Sequence, residues 1–478
     1  MNLSRFIERW AQHAPARTAL HFQGVDLSYA QLWARTERAT RGLAGLGIAR
    51  GDRIAFLGYN HPEMLVLLFA AARLGALLVP LNWRLTAHEH RAILADCDPK
   101  ALFHEAGFAE HASALPSATR IGLGAALPEA DPLLAGQDDD EVLIVYTSGT
   151  TGAPKGAVLS QSALLWNGFN SIHAHDLRQD DHVLSPLPMF HVGGLNNQTL
   201  PALLAGATVT LHRRFEPGLW LADVAMRRPT LSLLVPATMQ AVIAHPDWTK
   251  TDLSSLRLVN TGSMVVPESL IRVFHARKVP IGQIYGATET APLATVLMAH
   301  DAHAKAGSAG KPALHCEVRI VDSEVQVRGP NVMRRYWNNP EATGAAFTAE
   351  GWFRTGDLGR WDDDGFLWIA GRSKDVIISG GENIHPAELE SVLADCDAIA
   401  ECAVIGVEDP KWGEAACAVI VRKAGASIDE AGVLALFAGR LARYKHPRRV
   451  VFTDSLPKNA MGKVQKFELR KALEAQAT

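Results

Sequence analysis

Along the first 116 residues, two spacings of apolar positions alternate. Residues 29–46 and 63–74 place apolar side chains at helical intervals, whereas 53–57, 76–81 and 101–104 are short continuous apolar runs of strand length. That alternation predicts α/β layering with mostly parallel strands. After a small, polar, proline-containing stretch at 116–140 a second series follows. It comprises an apolar run at 142–145, helices at 160–174, 219–227 and 268–277, and strands at 208–212 and 232–236. Beyond Lys311 the pattern shortens to strands and turns at 317–321, 324–328 and 366–370. From Ser373 onward the chain has its own helices, 386–393 and 429–441, and strands, 400–407 and 415–422, enough for a separate small domain. The expected fold class is α/β: a large N-terminal domain of layered α/β sheets with a β-rich subdomain over residues 1–372, and a small α+β C-terminal domain over 373–478.

Composition narrows the class without naming a function. At 478 residues the chain exceeds one ordinary core, and 48% apolar content with a net charge of -3 describes a globular protein with no basic excess to demand nucleic acid. The cluster at 443–449 reads as a solvated helix end that a single phosphate could use. Cys97, Cys316, Cys396, Cys402 and Cys417 show no C-x-x-C spacing and read as reduced structural thiols. The first twelve residues interleave Leu3, Phe6, Ile7 and Trp10 with Arg5, Glu8 and Arg9, an amphipathic helix and not a signal peptide. The most membrane-like stretch, 64–81, contains Arg73, Gly75 and Pro80 and divides into a helix and a strand. No integral membrane segment and a cytoplasmic location are therefore expected.

Chemistry enters at Tyr146-Thr147-Ser148-Gly149-Thr150-Thr151-Gly152-Ala153-Pro154-Lys155-Gly156, where three glycines, four hydroxyls and a lysine fill one turn-forming segment. Glycines let backbone N–H groups approach an anion, hydroxyls add donors and lysine adds charge, which suits a polyphosphate. The order is not G-x-x-x-x-G-K-[ST], so a P-loop NTPase is disfavoured. A plain Gly/Thr surface loop has the same composition. Further segments supply the other parts an ATP-using reaction needs. Tyr285-Gly286-Ala287-Thr288-Glu289 offers an aromatic face, a hydroxyl and a carboxylate for Mg²⁺. Thr355-Gly356-Asp357 places an acid in a tight glycine turn, where its oxygens could accept both ribose hydroxyls. Gly371-Arg372-Ser373-Lys374-Asp375 leads into Ser379-Gly380-Gly381, and Pro457-Lys458-Asn459-Ala460-Met461-Gly462-Lys463 sets a lysine on a turn near the C-terminus. Each alone is an ordinary turn or a solvated charge.

Together and in this order they closely resemble the adenylate-forming superfamily of acyl-CoA synthetases, adenylation domains and luciferases, over residues 6–471. The resemblance implies ATP, Mg²⁺ and coenzyme A as co-substrates and a small-molecule carboxylic acid as substrate. The acid would become an acyl-adenylate with loss of pyrophosphate, and a thiol would then displace AMP. It implies that Thr147, Ser148, Gly149, Thr150, Thr151, Gly152 and Lys155 hold the β- and γ-phosphates. Tyr285 and Gly286 would lie against adenine, as would Gly262 in Asn260-Thr261-Gly262-Ser263-Met264. Thr288 would meet the α-phosphate, Glu289 would take Mg²⁺, and Asp357 and Arg372 would bind ribose. Lys463 would carry the first step by charge, since the carboxylate is already an ionised nucleophile. The second step would follow rotation of a mobile C-terminal domain about Lys374, bringing Gly380 and Gly381 to the pantetheine path. Trp412, Arg84 and Lys445 are candidates for contacting CoA, against a core aromatic and surface charges as the plainer readings.

His191, with Val192, Gly193 and Gly194, falls between the expected carboxylate site and the CoA tunnel, as gate or orienter. Amino-acid-activating members usually present Asp where His191 stands, so a neutral or weakly polar acyl group is expected. Gly193 and Gly194 imply space near the acyl end, and Asn196, Asn197 and Gln198 either contact a polar ring substituent or cap a helix. Fatty and aromatic acids both stay open. A shortened hairpin near 321–324 and the compact length resemble o-succinylbenzoate-CoA ligases and short bacterial acyl-CoA synthetases. The leading expectation is an AMP-forming acid-thiol ligase, an acyl-CoA synthetase. An enzyme loading a carrier protein and a non-catalytic nucleotide-binding protein of the same fold are the rivals. The oligomeric state is open, with a homodimer one option.

Overall fold

The computed structural model describes the chain except residues 1, 117–118, 148–153, 265, 380–381, 459–461 and 476–478. Local chemistry starts its helices: Ser28 accepts from the Gln31 N–H while the Gln31 side chain accepts from the Ser28 N–H, a capping box at the head of Tyr29–Gly45. Thr86 and Glu89 repeat the device for Ala87–Cys97, each cap worth about 1 kcal/mol. Pro62–Leu74 is apolar on nearly every side and is correspondingly buried.

That helix lies in one continuous core between two large sheets. The nine-stranded sheet sets Thr18–Phe22, Thr208–Leu211, His182–Ser185, Leu231–Leu233, Leu258–Gly262 and Ile281–Tyr285 side by side and parallel, with antiparallel strands at both edges. The seven-stranded sheet runs Arg335–Tyr336, Lys155–Ser160, Glu141–Thr147, Leu77–Leu81, Arg53–Leu57, Ala101–His104, Thr119–Gly122, parallel except for its first two pairings. A third, antiparallel sheet holds Glu317–Val321, Glu324–Arg328, Phe353–Trp361 and Leu367–Arg372. Its first hairpin closes through Asp322 and Ser323, both at positive φ, a two-residue turn matched to strand twist. A fourth sheet, on Ile377–Ser379, Glu382–Ile384, Ile399–Asp409, Gly413–Arg422 and Arg449–Phe452, has its own core with Pro386–Ala394. Mixed α/β sheets with a large N-terminal and a small C-terminal domain are thus the architecture.

Three local expectations are corrected. Asp357 sits inside the strand Phe353–Trp361 and not in a tight turn; the backbone absorbs Gly356 at φ 68° and a register shift between Leu358 and Gly359. The strand expected at 232–236 stops at Leu233, because Pro236 opens the helix Pro236–Ile243. The helix expected at 429–441 covers only Glu430–Ala435 and gives way to turns, with Gly439 at φ 73°. Among the described residues no helix is long and apolar enough to cross a membrane.

Candidate active site

The glycine and hydroxyl-rich segment is bounded by two paired strands. Glu141–Thr147 and Lys155–Ser160 pair antiparallel, with Thr147 opposite Lys155, so the loop returns into a strand and not into a helix as a Walker loop does. The expected phosphate ligands Ser148, Gly149, Thr150, Thr151 and Gly152 lie outside the described residues. At the base of the loop, the Lys155 ammonium stands 5.6 Å from the Tyr336 ring centre. The Tyr336 hydroxyl donates to Glu289 Oε1 at 2.6 Å; burial and then the Glu289 charge lift its ionisation far above the usual phenol range. Tyr336 therefore ties the expected phosphate lysine to the expected magnesium carboxylate. Sequence reasoning missed it, and the signal was slight: an aromatic pair, Tyr336-Trp337, after two arginines.

A second cluster forms at the carboxyl ends of two central parallel strands, where open α/β sheets bind ligands. Gly262 ends one strand, and a Cβ there would lie 2.5 Å from the Ile284 carbonyl oxygen of the next. Tyr285 ends that neighbour, followed by Gly286, where a Cβ would sit 1.7 Å from the Pro292 carbonyl oxygen. Only glycine permits either approach. The tight turn Thr288–Thr290 then presents Glu289 half-buried, with Thr288 buried beneath it.

Tyr285 donates to Asp357 Oδ2 at 2.9 Å, and Arg372 Nε pairs with Asp357 Oδ1 at 3.0 Å. Asp357 and Arg372 face each other across adjacent strands. The phenol of Tyr285 is raised well above its usual range by burial and then by the Asp357 charge. Lys463 joins this group from the far end of the chain. Its pKa is pushed down to about 8, first by burial and then by Arg372, while Asp357 and Asp375 pull it up and Lys374 lowers it further. The adjoining Gly462 faces Ala237, whose Cβ would lie 3.6 Å from a methyl group placed on the glycine. Lys374, in the turn Ser373–Asp375 that links the third and fourth sheets, is also held below its usual range by burial. Three cations and two carboxylates thus surround one strand end.

His191 accepts from the Gly193 N–H through Nδ1 at 3.0 Å and caps the short helix Val192–Gly194. Burial pushes its imidazole down to about 4, so it is neutral near pH 7. Val192 belongs to the main core. The space expected at Gly194 is not there: a Cβ would lie 2.2 Å from the Pro188 carbonyl oxygen, so this glycine serves a backbone contact. Nor do Asn196, Asn197 and Gln198 cap a helix with their side chains; they are buried in a π-helical segment, Leu195–Thr199.

On the side of Phe190 opens a cavity of about 370 Å³, lined among others by Trp83, Arg84, Arg213, Val235, Lys458 and Gly462. Trp83 packs edge-on to Phe190 and Tyr59, and Arg213 lies 4.2 Å from the Tyr59 ring centre. The Asn60 side chain bonds the backbone of Leu187, Met189 and His212, which fixes the cavity wall. Arg84 is therefore at this cavity, with its guanidinium over Trp83. Lys445 pairs instead with Glu388 at 2.5 Å. Trp412 is a turn residue between Lys411 and Arg448, outside the apolar core of its domain. Gly380 and Gly381 lie outside the described residues. Asn60, Trp83 and Arg213 went unnoticed in the sequence because their neighbours there carry no motif.

A family model for AMP-binding enzymes matches residues 7–337, and one for the C-terminal domain of AMP-binding enzymes matches 388–463. The indoleacetate–CoA ligase of Aromatoleum aromaticum is 50% identical over 98% of this chain and 98% of its own. A feruloyl-CoA synthase of Amycolatopsis is 42% identical over 97% of each. The crystal structure of ATP-bound MatB from Rhodopseudomonas palustris superposes with a TM-score of 0.92 at 32% identity, covering 100% of both chains. With both family models matched in order and CoA ligases among its full-length relatives, the chain belongs to the AMP-binding enzyme family, as an acid–CoA ligase of the acyl-CoA synthetase type.

Proposed function

We propose that this ligase activates an aromatic carboxylic acid with ATP and magnesium and passes the acyl group to coenzyme A. The observation that carries the reading is the convergence of Tyr285, Asp357, Arg372 and Lys463 from separate chain segments at one strand end. In the first step a carboxylate oxygen forms a bond to the α-phosphorus as the α–β phosphoanhydride bond breaks and pyrophosphate leaves. Lys463 stabilises the negative charge gathered between the two anions. Thr147 and Lys155, with the loop between them, hold the departing pyrophosphate. Asp357 retains unused lone pairs beside Arg372 for ribose hydroxyls.

Magnesium bound to nucleotide needs only one or two protein carboxylates. Glu289, half-buried with one oxygen held by Tyr336, fits that demand. The ion would supply charge neutralisation of the phosphates. In the second step the thiol sulfur attacks the acyl carbonyl, AMP leaves, and the thiol proton passes to solvent. Rotation about Lys374 withdraws Lys463, and the thiol arm enters past Arg84 and Trp83 toward His191, which as a neutral ring gates and does not donate charge. Domains meeting at 372/373 follow from that pivot.

The aromatic acid is supported by relatives named for indoleacetate and feruloyl-CoA, and both nucleotide co-substrates support a cytoplasmic site of action. Acid-dependent AMP release should be measured across arylacetic, cinnamic, succinylbenzoic and fatty acids. Turnover confined to fatty acids would overturn the substrate class.

A further inference from the structure

The helix Ala87–Cys97 ends on a carboxylate that electrostatics disfavours. Asp96 stands in its last turn, where the helix carbonyls gather negative partial charge, and that turn carries no basic residue. Arg53, from the adjacent strand Arg53–Leu57, covers the next two carbonyls: Nε donates to that of Cys97 at 2.6 Å and Nη2 to that of Asp98 at 2.7 Å. The Asp96 carboxylate takes its partner from a different layer.

That partner is the Tyr146 hydroxyl, which donates to Asp96 Oδ2 at 2.5 Å. Ile144 and Tyr146 alternate onto the face of Glu141–Thr147 that packs against Ile93, Leu94 and Cys97. The phenol thus pins the outgoing strand to the helix end one residue before Thr147. Burial, and then Cys97 and Asp96, lift its ionisation far above the usual phenol range, so it stays a donor.

The returning strand is held at the same place. Tyr146 pairs in register with Gly156, where a Cβ would lie 3.1 Å from Tyr146 Cζ, so the ring lies across the strand one residue after Lys155. The Gly156 carbonyl accepts from the Trp337 N–H at 2.7 Å. The Trp337 indole N–H in turn donates to the Asp96 carbonyl at 3.1 Å, and the Asn338 amide donates to that carbonyl at 2.9 Å. Arg53 and Arg335 stand 5.4 and 4.8 Å from the Trp337 ring centre. Thr147 opposes Lys155, and Tyr336 opposes Ala157, so Thr147, Lys155 and Tyr336 share one face of the sheet. Tyr146 and Trp337, each one residue away, turn to the other face, toward Asp96.

We propose that Asp96 is a positioning residue for the β- and γ-phosphates of ATP: from the face opposite the nucleotide it fixes both stems of the loop, and with them the placing of Thr147 and Lys155 against Glu289. Its bonds to Tyr146 and Trp337 are the means, since Trp337 adjoins the Tyr336 that bonds Glu289. The inference rests on the reading of Thr147 and Lys155 as holding the departing pyrophosphate. Small displacements of a binding group are costly to a reaction that depends on alignment.

The test is acid-dependent ATP–pyrophosphate exchange in excess magnesium, with KM determined separately for ATP, pyrophosphate and the acid. Tyr146→Phe removes one hydroxyl and should raise KM for ATP and for pyrophosphate together, roughly 10- to 100-fold, the scale on which supporting contacts act behind ligand-binding groups. KM for the acid and the rate of thioester formation from supplied acyl-adenylate should hold, because neither uses the β- and γ-phosphates. Asp96→Ala should behave alike, whereas Asp96→Asn keeps an oxygen to accept from the phenol and should stay nearer the wild type. Melting temperatures show which variants fold, and if Asp96→Ala does not, Tyr146→Phe decides. A folded Tyr146→Phe variant whose KM for ATP is unchanged, or rises in step with KM for the acid, overturns the inference and leaves the proposed function standing. Asp96→Asn as impaired as a folded Asp96→Ala overturns it also. Wild-type exchange absent with every acid sinks the proposed function and the inference with it.

Discussion

Raising the pH through 8 should slow adenylation in the wild-type enzyme, whereas the rate of a Lys463→Arg variant should not change with pH. Lys463 loses solvent in the site and meets Arg372 and Lys374, which Asp357 and Asp375 offset only in part, so its ammonium titrates near 8 and not at its ordinary 10.5. A lowered pKa on a cation means that charge is present below the pKa and lost as pH rises through it. If charge does the catalytic work, kcat/KM follows the protonated fraction of the unliganded enzyme. That fraction is roughly nine-tenths at pH 7, half at pH 8 and one-eleventh at pH 9, about a tenfold fall. The Arg guanidinium stays charged throughout, so the variant runs flat, and more slowly because its planar fork replaces a point charge. Lys463→Ala should cost about 10²- to 10³-fold in adenylation, the scale of one lost transition-state donor, and spare thioester formation from supplied acyl-adenylate. Acid-dependent ATP–pyrophosphate exchange from about pH 6.5 to 9.5 reads all three. A wild-type profile that rises through 8 would mean that the neutral amine acts as a base and would refute the charge argument.

Lys374→Pro freezes φ at the pivot and should abolish thioester formation from acyl-adenylate with pyrophosphate exchange retained; equal loss of both would count against the hinge. Gly286→Ala drives a Cβ to 1.7 Å from the Pro292 carbonyl oxygen, so the melting temperature should drop by an amount equivalent to about 1–3 kcal/mol or more, together with adenylation; an unchanged melt would contradict the packing described. Tyr336→Phe removes the 2.6 Å bond to Glu289 but keeps the ring beside Lys155. It should raise the magnesium concentration needed for half-maximal exchange, by about 10- to 100-fold as for a lost supporting bond, and no change in magnesium dependence would remove Tyr336 from the site.

The motif residues were legible because glycine, hydroxyl and charge at fixed spacing state their chemistry locally. Gly262 and Gly286 show why such reading works: each is required by a carbonyl on a neighbouring segment. The strand carrying Asp357 was not legible, since flanking glycines in a short window signal a turn and the sheet that overrides them is assembled from distant strands. The early end of the helix at Ala435 has the same origin, apolar spacing continuing where the backbone does not. Gln198 was legible only as part of the polar run Asn196-Asn197-Gln198, and Asn260, its partner, is brought to it only by the sheet. Tyr336 reaches Lys155 only because Arg335–Tyr336 pairs with Lys155–Ser160 at a sheet edge.

The central claim, that the strand-end cluster makes an acyl-adenylate which CoA then consumes, is tested most directly by following AMP and thioester together. Purified enzyme with ATP, magnesium, CoA and the acid it turns over fastest should yield AMP and acyl-CoA in equal amounts, and pyrophosphate exchange without CoA should depend on the acid. AMP formed without a matching thioester, or exchange that ignores the acid, would contradict the account.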